Sequence, residues 1–265
     1  MIRVFLVSVL CSVAAHGAMR VIVTVIEQRS GRPVENLTAQ DFSVLEEKTA
    51  KRVEGAEFAR RPVDVMLLVD TSLVGEMVQP VASSLIGELK DKEQMAIVAF
   101  DSSAELIQDF TSSRELLSGA LRKVKYGNSP KVLDALFAAM EGGFEHATYR
   151  RVVLLVTTGL EGYSRVNERE VIRLARKAGV SIYPVYAAGS GRSLLETLAR
   201  QTGGASFHLR DMQRAGGSGS PAARILDVVR GHYVLTVAGN LGFGEKVKVE
   251  VRRPDKLLVS ALPLD

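Results

Sequence analysis

Two hydrophobic patterns alternate along most of this chain. Short, nearly continuous apolar runs fall at residues 63–69 (VDVMLLV), 94–100, 151–157 (RVVLLVT) and 180–186. Such runs suit strands buried on both faces of a parallel sheet. Between them lie stretches with apolar residues every three or four positions. Residues 77–89 carry Met77, Val78, Val81, Leu85 and Leu89 at helical spacing, and residues 113–124 carry Leu116, Leu117 and Leu121 behind a capping Ser113. Residues 132–142 (Leu133, Leu136, Phe137, Met140), 167–179 with its terminal Gly179, 193–202 ahead of Gly203-Gly204, and 222–230 continue the helical series. Strands alternating with helices of this length predict an α/β fold: a doubly wound, mostly parallel sheet with helices on both faces.

The ends read differently. Residues 20–27 are rich in β-branched side chains, Ser30-Gly31-Arg32-Pro33 is a turn, and residues 41–47 form a second strand candidate. This small β attachment joins the main domain at Arg60-Arg61-Pro62. Beyond a flexible stretch at 215–221 (AGGSGSP), residues 233–237 and 246–251 alternate as a β-hairpin around 240–244. That hairpin is a second small β attachment, with the first as its natural packing partner. Met1-Ile2-Arg3, the apolar run 4–15 and Ala15-His16-Gly17 have the order of a secretory signal. A buried first strand is the alternative. The run is too short for a comfortable membrane span of about 20 residues, so no stable membrane insertion is expected. The expected organisation is 1–17 signal peptide, 18–61 N-terminal β segment, 62–232 main domain and 233–265 C-terminal β-hairpin segment, in a protein exported to the periplasm or the medium.

Composition narrows the function. The chain is 46% apolar and 24% charged, ordinary for a globular protein. Trp is absent and aromatics are only 6%, which argues against carbohydrate platforms and base-stacking surfaces. The net charge of +4 is spread out, apart from small clusters such as Arg60-Arg61 and Arg252-Arg253, so no nucleic-acid partner is expected. The one cysteine, Cys11, lies inside the apolar run after Leu10, a poor residue to precede a lipidated cysteine. Removal of the signal leaves no thiol for disulfide, metal or nucleophile.

In open α/β sheets the ligand crevice lies beyond the carboxyl ends of the strands. There, residues 63–69 run straight into Asp70-Thr71-Ser72. A carboxylate and a hydroxyl two residues apart can face one crevice, and oxygen ligands of this type suit hard cations such as Mg²⁺. The same residues also suit a turn with helix caps. Gly189-Ser190-Gly191 and Gly217-Ser218-Gly219 lack the strand-turn-helix setting of a nucleophile elbow. Gly203-Gly204 reads as a helix stop, and no phosphate-binding loop is present in the sequence. His16, His146, His208 and His232 are isolated, and no His or Lys is expected beside Ser72 to serve as its base.

With these blocks in order, the chain resembles the von Willebrand factor type A family over roughly residues 63–233. Asp70-Thr71-Ser72 after VDVMLLV resembles the start of that family's metal motif, D-x-S-x-S. Residues 95–100, Leu133-Asp134-Ala135-Leu136, VVLLVTTG, 180–185 and 198–204 resemble its later strands and helices. Residues 31–34 and 37–42 resemble a segment preceding such domains in some exported bacterial proteins. The resemblance implies a metal-ion-dependent adhesion site in which a partner's carboxylate completes the coordination of a divalent cation, Mg²⁺ or Mn²⁺. Asp70 and Ser72 match that site, with Ser129 and Thr158 in the matching loops. The second motif serine is Val74, the family's threonine falls at or near Pro130, and its later aspartate is Thr158. Glu161, Asp101 and Asp134 are near in sequence. The resemblance therefore implies an exported module that binds another protein without catalysis, with a degenerate metal site. A structural part of an envelope assembly and a metal-dependent hydrolase are the alternatives.

Overall fold

The computed structural model describes residues 18–28, 30–187, 189–214, 219–239 and 247–264. The expected signal with Cys11, most of the flexible stretch at 215–221 and the hairpin turn at 240–244 lie outside the described residues. The strands are β1 (Ala18–Glu27), β2 (Phe42–Glu46), β3 (Thr49–Lys51), β4 (Val53–Arg60), β5 (Val63–Asp70), β6 (Gln94–Phe100), β7 (Ala104–Thr111), β8 (Arg150–Thr157), β9 (Val180–Tyr186), β10 (Phe207–His208), β11 (Gly231–Ala238), β12 (Val247–Val251) and β13 (Leu257–Leu264). The helices are α1 (Gln79–Gly87), α2 (Arg114–Leu121), α3 (Val132–Met140), α4 (Glu168–Ala178), α5 (Arg192–Gln201), α6 (Leu209–Arg214) and α7 (Pro221–Arg230).

Six strands form the central sheet in the order β10-β9-β8-β5-β6-β7, parallel except for the antiparallel edge strand β7. Every residue of β5 is buried. Side chains alternate across a strand, so the two faces can be read off directly. Val63, Val65, Leu67 and Val69 pack with Leu85 of α1, Leu117 of α2 and Ile225 and Val229 of α7. Met66 and Leu68 point the other way, toward Leu136 of α3, Val171 of α4 and Leu198 of α5. The expected doubly wound α/β fold is therefore present, with helices on both faces.

Local signals set the helix ends. Ser113 Oγ accepts from Leu116 N at 3.2 Å and starts α2. Asn167 and Glu170 form a reciprocal capping box at the start of α4. Gly179 stops α4 at φ +65°, a left-handed conformation that suits glycine. The helix expected from residue 77 begins later. Gly75–Val78 form one 3-10 turn, and Pro80 sits in the first turn of α1, where its missing N–H costs nothing.

The β attachments depart from expectation in their pairing. Residues 233–237 and 246–251 do not form a hairpin together. β11 lies between β1 and β4 in a four-stranded sheet, β13-β1-β11-β4, whereas β12 pairs with β2 in a three-stranded sheet, β12-β2-β3. The two sheets enclose a core of Val21, Val23, Val25, Phe42, Val44, Tyr233, Leu235 and Val237. Tyr233 is central to it. Its ring meets Phe42 and Phe58 edge-on, and its hydroxyl donates to Val34 O at 2.8 Å and accepts from Leu37 N at 3.0 Å. The two ends of the chain thus build one sandwich.

The opposite face of β1 docks on the central domain. Ile26 joins the core on one side of the central sheet. Thr24 Oγ1 donates to Gly203 O at 2.8 Å and lies 3.1 Å from Tyr183 Oη, and Ser260 Oγ donates to Gly204 O at 2.5 Å. Among the described residues, no helix is long and apolar enough to cross a membrane.

Candidate functional site

The parallel register of β5 with β8, Val69 opposite Val156, brings the loops after both strands together at the carboxyl edge. Asp70, the last residue of β5, is fully buried there. Its Oδ2 accepts from Thr157 Oγ1, Thr158 N and Thr158 Oγ1, each at 2.9 Å. Its Oδ1 accepts from Ser72 N at 3.0 Å, the turn a short carboxylate makes with its own backbone two residues on. Gly75 closes the loop against it: a Cβ there would overlap the Asp70 carbonyl. One carboxylate thus ties the β5–α1 loop to the β8–α4 loop.

The loop between α2 and α3 is tied in as well. Gly127 N donates to Thr71 O at 2.9 Å and Leu73 N to Asn128 O at 3.2 Å. Gly162 N donates to Pro130 O at 2.6 Å. The acids that were near in sequence brace these loops. Asp101 accepts from Asn128 Nδ2 at 2.8 Å and Ser103 N at 3.1 Å. Asp134 Oδ1 accepts from Arg165 N at 2.7 Å and Val166 N at 3.1 Å. Glu161 Oε2 accepts from Val132 N at 2.8 Å, at the start of α3, and its Oε1 from Ser164 Oγ at 2.6 Å. Burial raises the Glu161 pKa, and nearby Asp134 adds to the rise against the hydrogen bonds to its carboxyl.

The four candidate metal residues are not equivalent in the structure. Asp70 and Thr158 meet through a hydrogen bond. Ser72 is buried, with no hydrogen-bond partner for its Oγ among the described residues. Ser129 is exposed, and its Oγ lies beside Gly162 at the outer end of the neighbouring loop. A divalent cation needs several oxygen lone pairs free of donated hydrogens, from more than one charged group where it is held tightly. Here Asp70 already accepts four donors and Thr158 presents a hydroxyl where the family has a carboxylate. Among the described residues, no group of three Asp, Glu, His or Cys side chains is placed to hold a metal. The residues present do not fit a resident Mg²⁺ or Mn²⁺ ion.

Sequence reasoning missed two features. Thr157, read only as the end of a strand, shares the clamp on Asp70. The second is a rim of apolar side chains. Leu73 (76% exposed), Val74, Met77 (69%), Leu160 and Tyr163 (91%) all project from the loops after β5 and β8. Met77 was expected on the buried face of a helix; the 3-10 turn rotates it outward. The available signal was apolar side chains in loops otherwise written in Gly and polar residues.

In an α/β domain of this kind the ligand crevice lies at the carboxyl edge of the sheet, where the braced loops stand. The family model for the von Willebrand factor type A domain matches residues 64–217, more than half of the chain, and the chain belongs to that family of protein-interaction and adhesion modules. Its fold is shared with proximal thread matrix protein 1 from the mussel byssus, solved with a zinc-occupied MIDAS motif, at 15% identity and a TM-score of 0.55 over 70% of this chain and 50% of that one. BatB from Bacteroides thetaiotaomicron is similar at 13% identity and a TM-score of 0.48, over 58% of this chain and 95% of that one. No curated protein matches the sequence.

Proposed function

We propose that this chain is an exported, non-catalytic module that docks a partner protein on the carboxyl edge of its sheet, without a resident divalent cation. The apolar rim carries the reading. Leu73, Val74, Met77, Leu160 and Tyr163 stand on loops cross-tied through Asp70, so the platform is ordered before a partner arrives. Preorganisation lowers the entropic cost of docking, and an exposed tyrosine among aliphatic neighbours is the composition of an interface centre. The order of residues 1–17 supports export. Ser72 Oγ has no base within hydrogen-bond distance among the described residues, and the Asp70 carboxyl is committed to threonine donors; both support a binding role.

The test is a pull-down with the full chain from the envelope fraction of the source cells. Leu73→Asp combined with Tyr163→Asp is expected to lose the partner, and Asp70→Ala, which unties the loops, is expected to lose it too. Leu258→Asp, at the half-exposed start of β13 in the cleft between the sandwich and the central domain, is expected to keep it. The reverse pattern would assign binding to the sandwich and sink this reading.

A further inference from the structure

A basic strip runs beside the apolar rim. Residues 122–125 read Arg-Lys-Val-Lys, and Lys131 follows at the start of α3. Arg122, Lys123 and Lys125 are exposed and Lys131 is half-buried. None of the four has a salt-bridge partner among the described residues. The strip is held against the rim by named contacts. Gln79 Nε2 donates to Leu121 O at 3.4 Å, just before the strip, and the Gly127–Thr71 and Leu73–Asn128 backbone bonds follow it. The loop that carries Leu73, Val74 and Met77 therefore lies alongside these cations. Acids share the neighbourhood: Glu76 is exposed, Asp101 is half-buried and held by Asn128, Asp70 is buried, and Glu161 and Asp134 are half-buried near Lys131. Among the exposed side chains of this flank, three cations, Arg122, Lys123 and Lys125, stand against one acid, Glu76.

We infer that the partner segment is acidic as well as apolar: aliphatic or aromatic side chains seat on Leu73, Met77 and Tyr163, and flanking Asp or Glu residues lie on the strip of Arg122, Lys123 and Lys125. This rests on the docking face proposed above and adds the partner's chemistry. The physical reason is complementarity. Unpaired cations beside an apolar platform attract an anionic segment and speed its arrival, while the apolar contacts supply residence time. The strip supplies, in fixed side chains, positive charge at an edge where the residues do not fit a metal ion.

The experiment uses the full chain with a benzophenone side chain at position 77, irradiated in the envelope fraction, and the cross-linked segment is sequenced. A net-negative segment with aliphatic or aromatic residues is expected. Lys123→Glu with Lys125→Glu is expected to reduce capture about tenfold at low salt, as loss of electrostatic steering does. Raising salt from about 50 mM to about 500 mM is expected to reduce it similarly. Lys90→Glu with Lys92→Glu, on the exposed loop after α1, is expected to leave capture unchanged. Two synthetic peptides with the same apolar residues, one carrying Asp and Glu and the other Lys and Arg, provide a purified comparison in which only the acidic one is expected to bind. Capture at position 77 that ignores charge reversal and salt, or a neutral or basic segment, overturns this inference and leaves the docking face standing. Capture of lipid or nucleic acid in place of protein overturns it too. Cross-linking from position 258 but not from 77 overturns the docking face itself.

Discussion

The central sheet and the terminal sandwich are built on opposite principles. Each central strand carries its own burial signal: β5, β8 and β9 are buried along nearly all of their length, and their partners are the next strands of the α/β series. The sandwich has no such autonomy. β1 is flanked by β11 and β13, so its neighbours come from the far end of the chain. Half of its side chains fill the sandwich and half, Ile22, Thr24 and Ile26 among them, face the central domain or the seam. A local region can form before the rest; a region closed by the two chain ends must wait for both. The site belongs to the first region, and the second packs on that region through Tyr183, Gly203 and Gly204.

The largest expected effect comes from removing the centre of the sandwich. Tyr233→Ala deletes a buried ring lying against Phe42 and Phe58 and orphans the Val34 and Leu37 backbone groups. A loss of about 3–5 kcal/mol is expected, as for other large-to-small core changes. Hydrogen exchange should show protection lost first in β1, β4 and β11, with β5 and β8 retained. Equal loss in both regions would remove the distinction drawn above.

The seam between the regions comes next. Gly203 has φ +74°, and a Cβ built on it would stand 2.7 Å from Leu262 Cβ on β13. Gly203→Val combines backbone strain with overpacking, and roughly 2–4 kcal/mol of destabilisation is expected. Calorimetry should then resolve two transitions where the parent gives one. A single sharp transition in the variant would mean that the seam does not couple the regions.

The clamp tests the site. Thr158→Val deletes one of the donors to Asp70 but keeps the backbone N–H, and about 1–2 kcal/mol is expected. Thr158→Asp with Val74→Ser restores two of the oxygen ligands that the family pattern has. That pair should be less stable than the parent in EDTA and should gain roughly 5–10 °C in Tm at a hundredfold excess of Mg²⁺ over Kd. The parent should not respond. A parent that shifts with millimolar Mg²⁺ would show that the Asp70 carboxyl is open to a cation after all.

How much of this was legible in the sequence follows the same division. The apolar runs at 63–69 and 151–157 declare buried parallel strands without any partner in view, and Gly179 and Asn167 declare their helix ends. β7 was not legible, because an exposed edge strand needs no apolar period: its residues Glu105, Leu106 and Asp109 face water. The pairing of β11 with β1 and β4 was hidden because alternation reports that a strand has two faces, not which strand lies beside it. At the site, the loss of ligands at Val74 and Thr158 could be read from the resemblance. That Thr158 and Thr157 turn their hydroxyls onto Asp70 depends on the β5–β8 register, which no single run encodes. The basic strip at 122–125 was in plain view, but its meaning comes from the rim beside it.

The smallest effect at neutral pH is at His232, and it separates the regions only in acid. His232, the second residue of β11, is buried, and its Nδ1 lies 3.0 Å from Arg230 O. Burial lowers its pKa from 6.5 to about 3, and the positive charge of Arg150 adds to the fall. The folded protein therefore keeps this ring neutral where the unfolded chain takes up a proton. Between pH 6.5 and about 3 the unfolded state binds more protons, so stability falls as the pH falls, by up to about 1.4 kcal/mol per pH unit from this group. Above pH 6.5 both states are neutral and the contribution is flat. His232→Gln, which keeps a side-chain donor for the Arg230 carbonyl, should lie below the parent at pH 7.5 by no more than about 1 kcal/mol. Its stability should decline less steeply between pH 6 and pH 4 in urea titrations. Parallel acid limbs for parent and variant would show that this ring is already solvated in the fold, and that the base of β11 is looser than its burial implies.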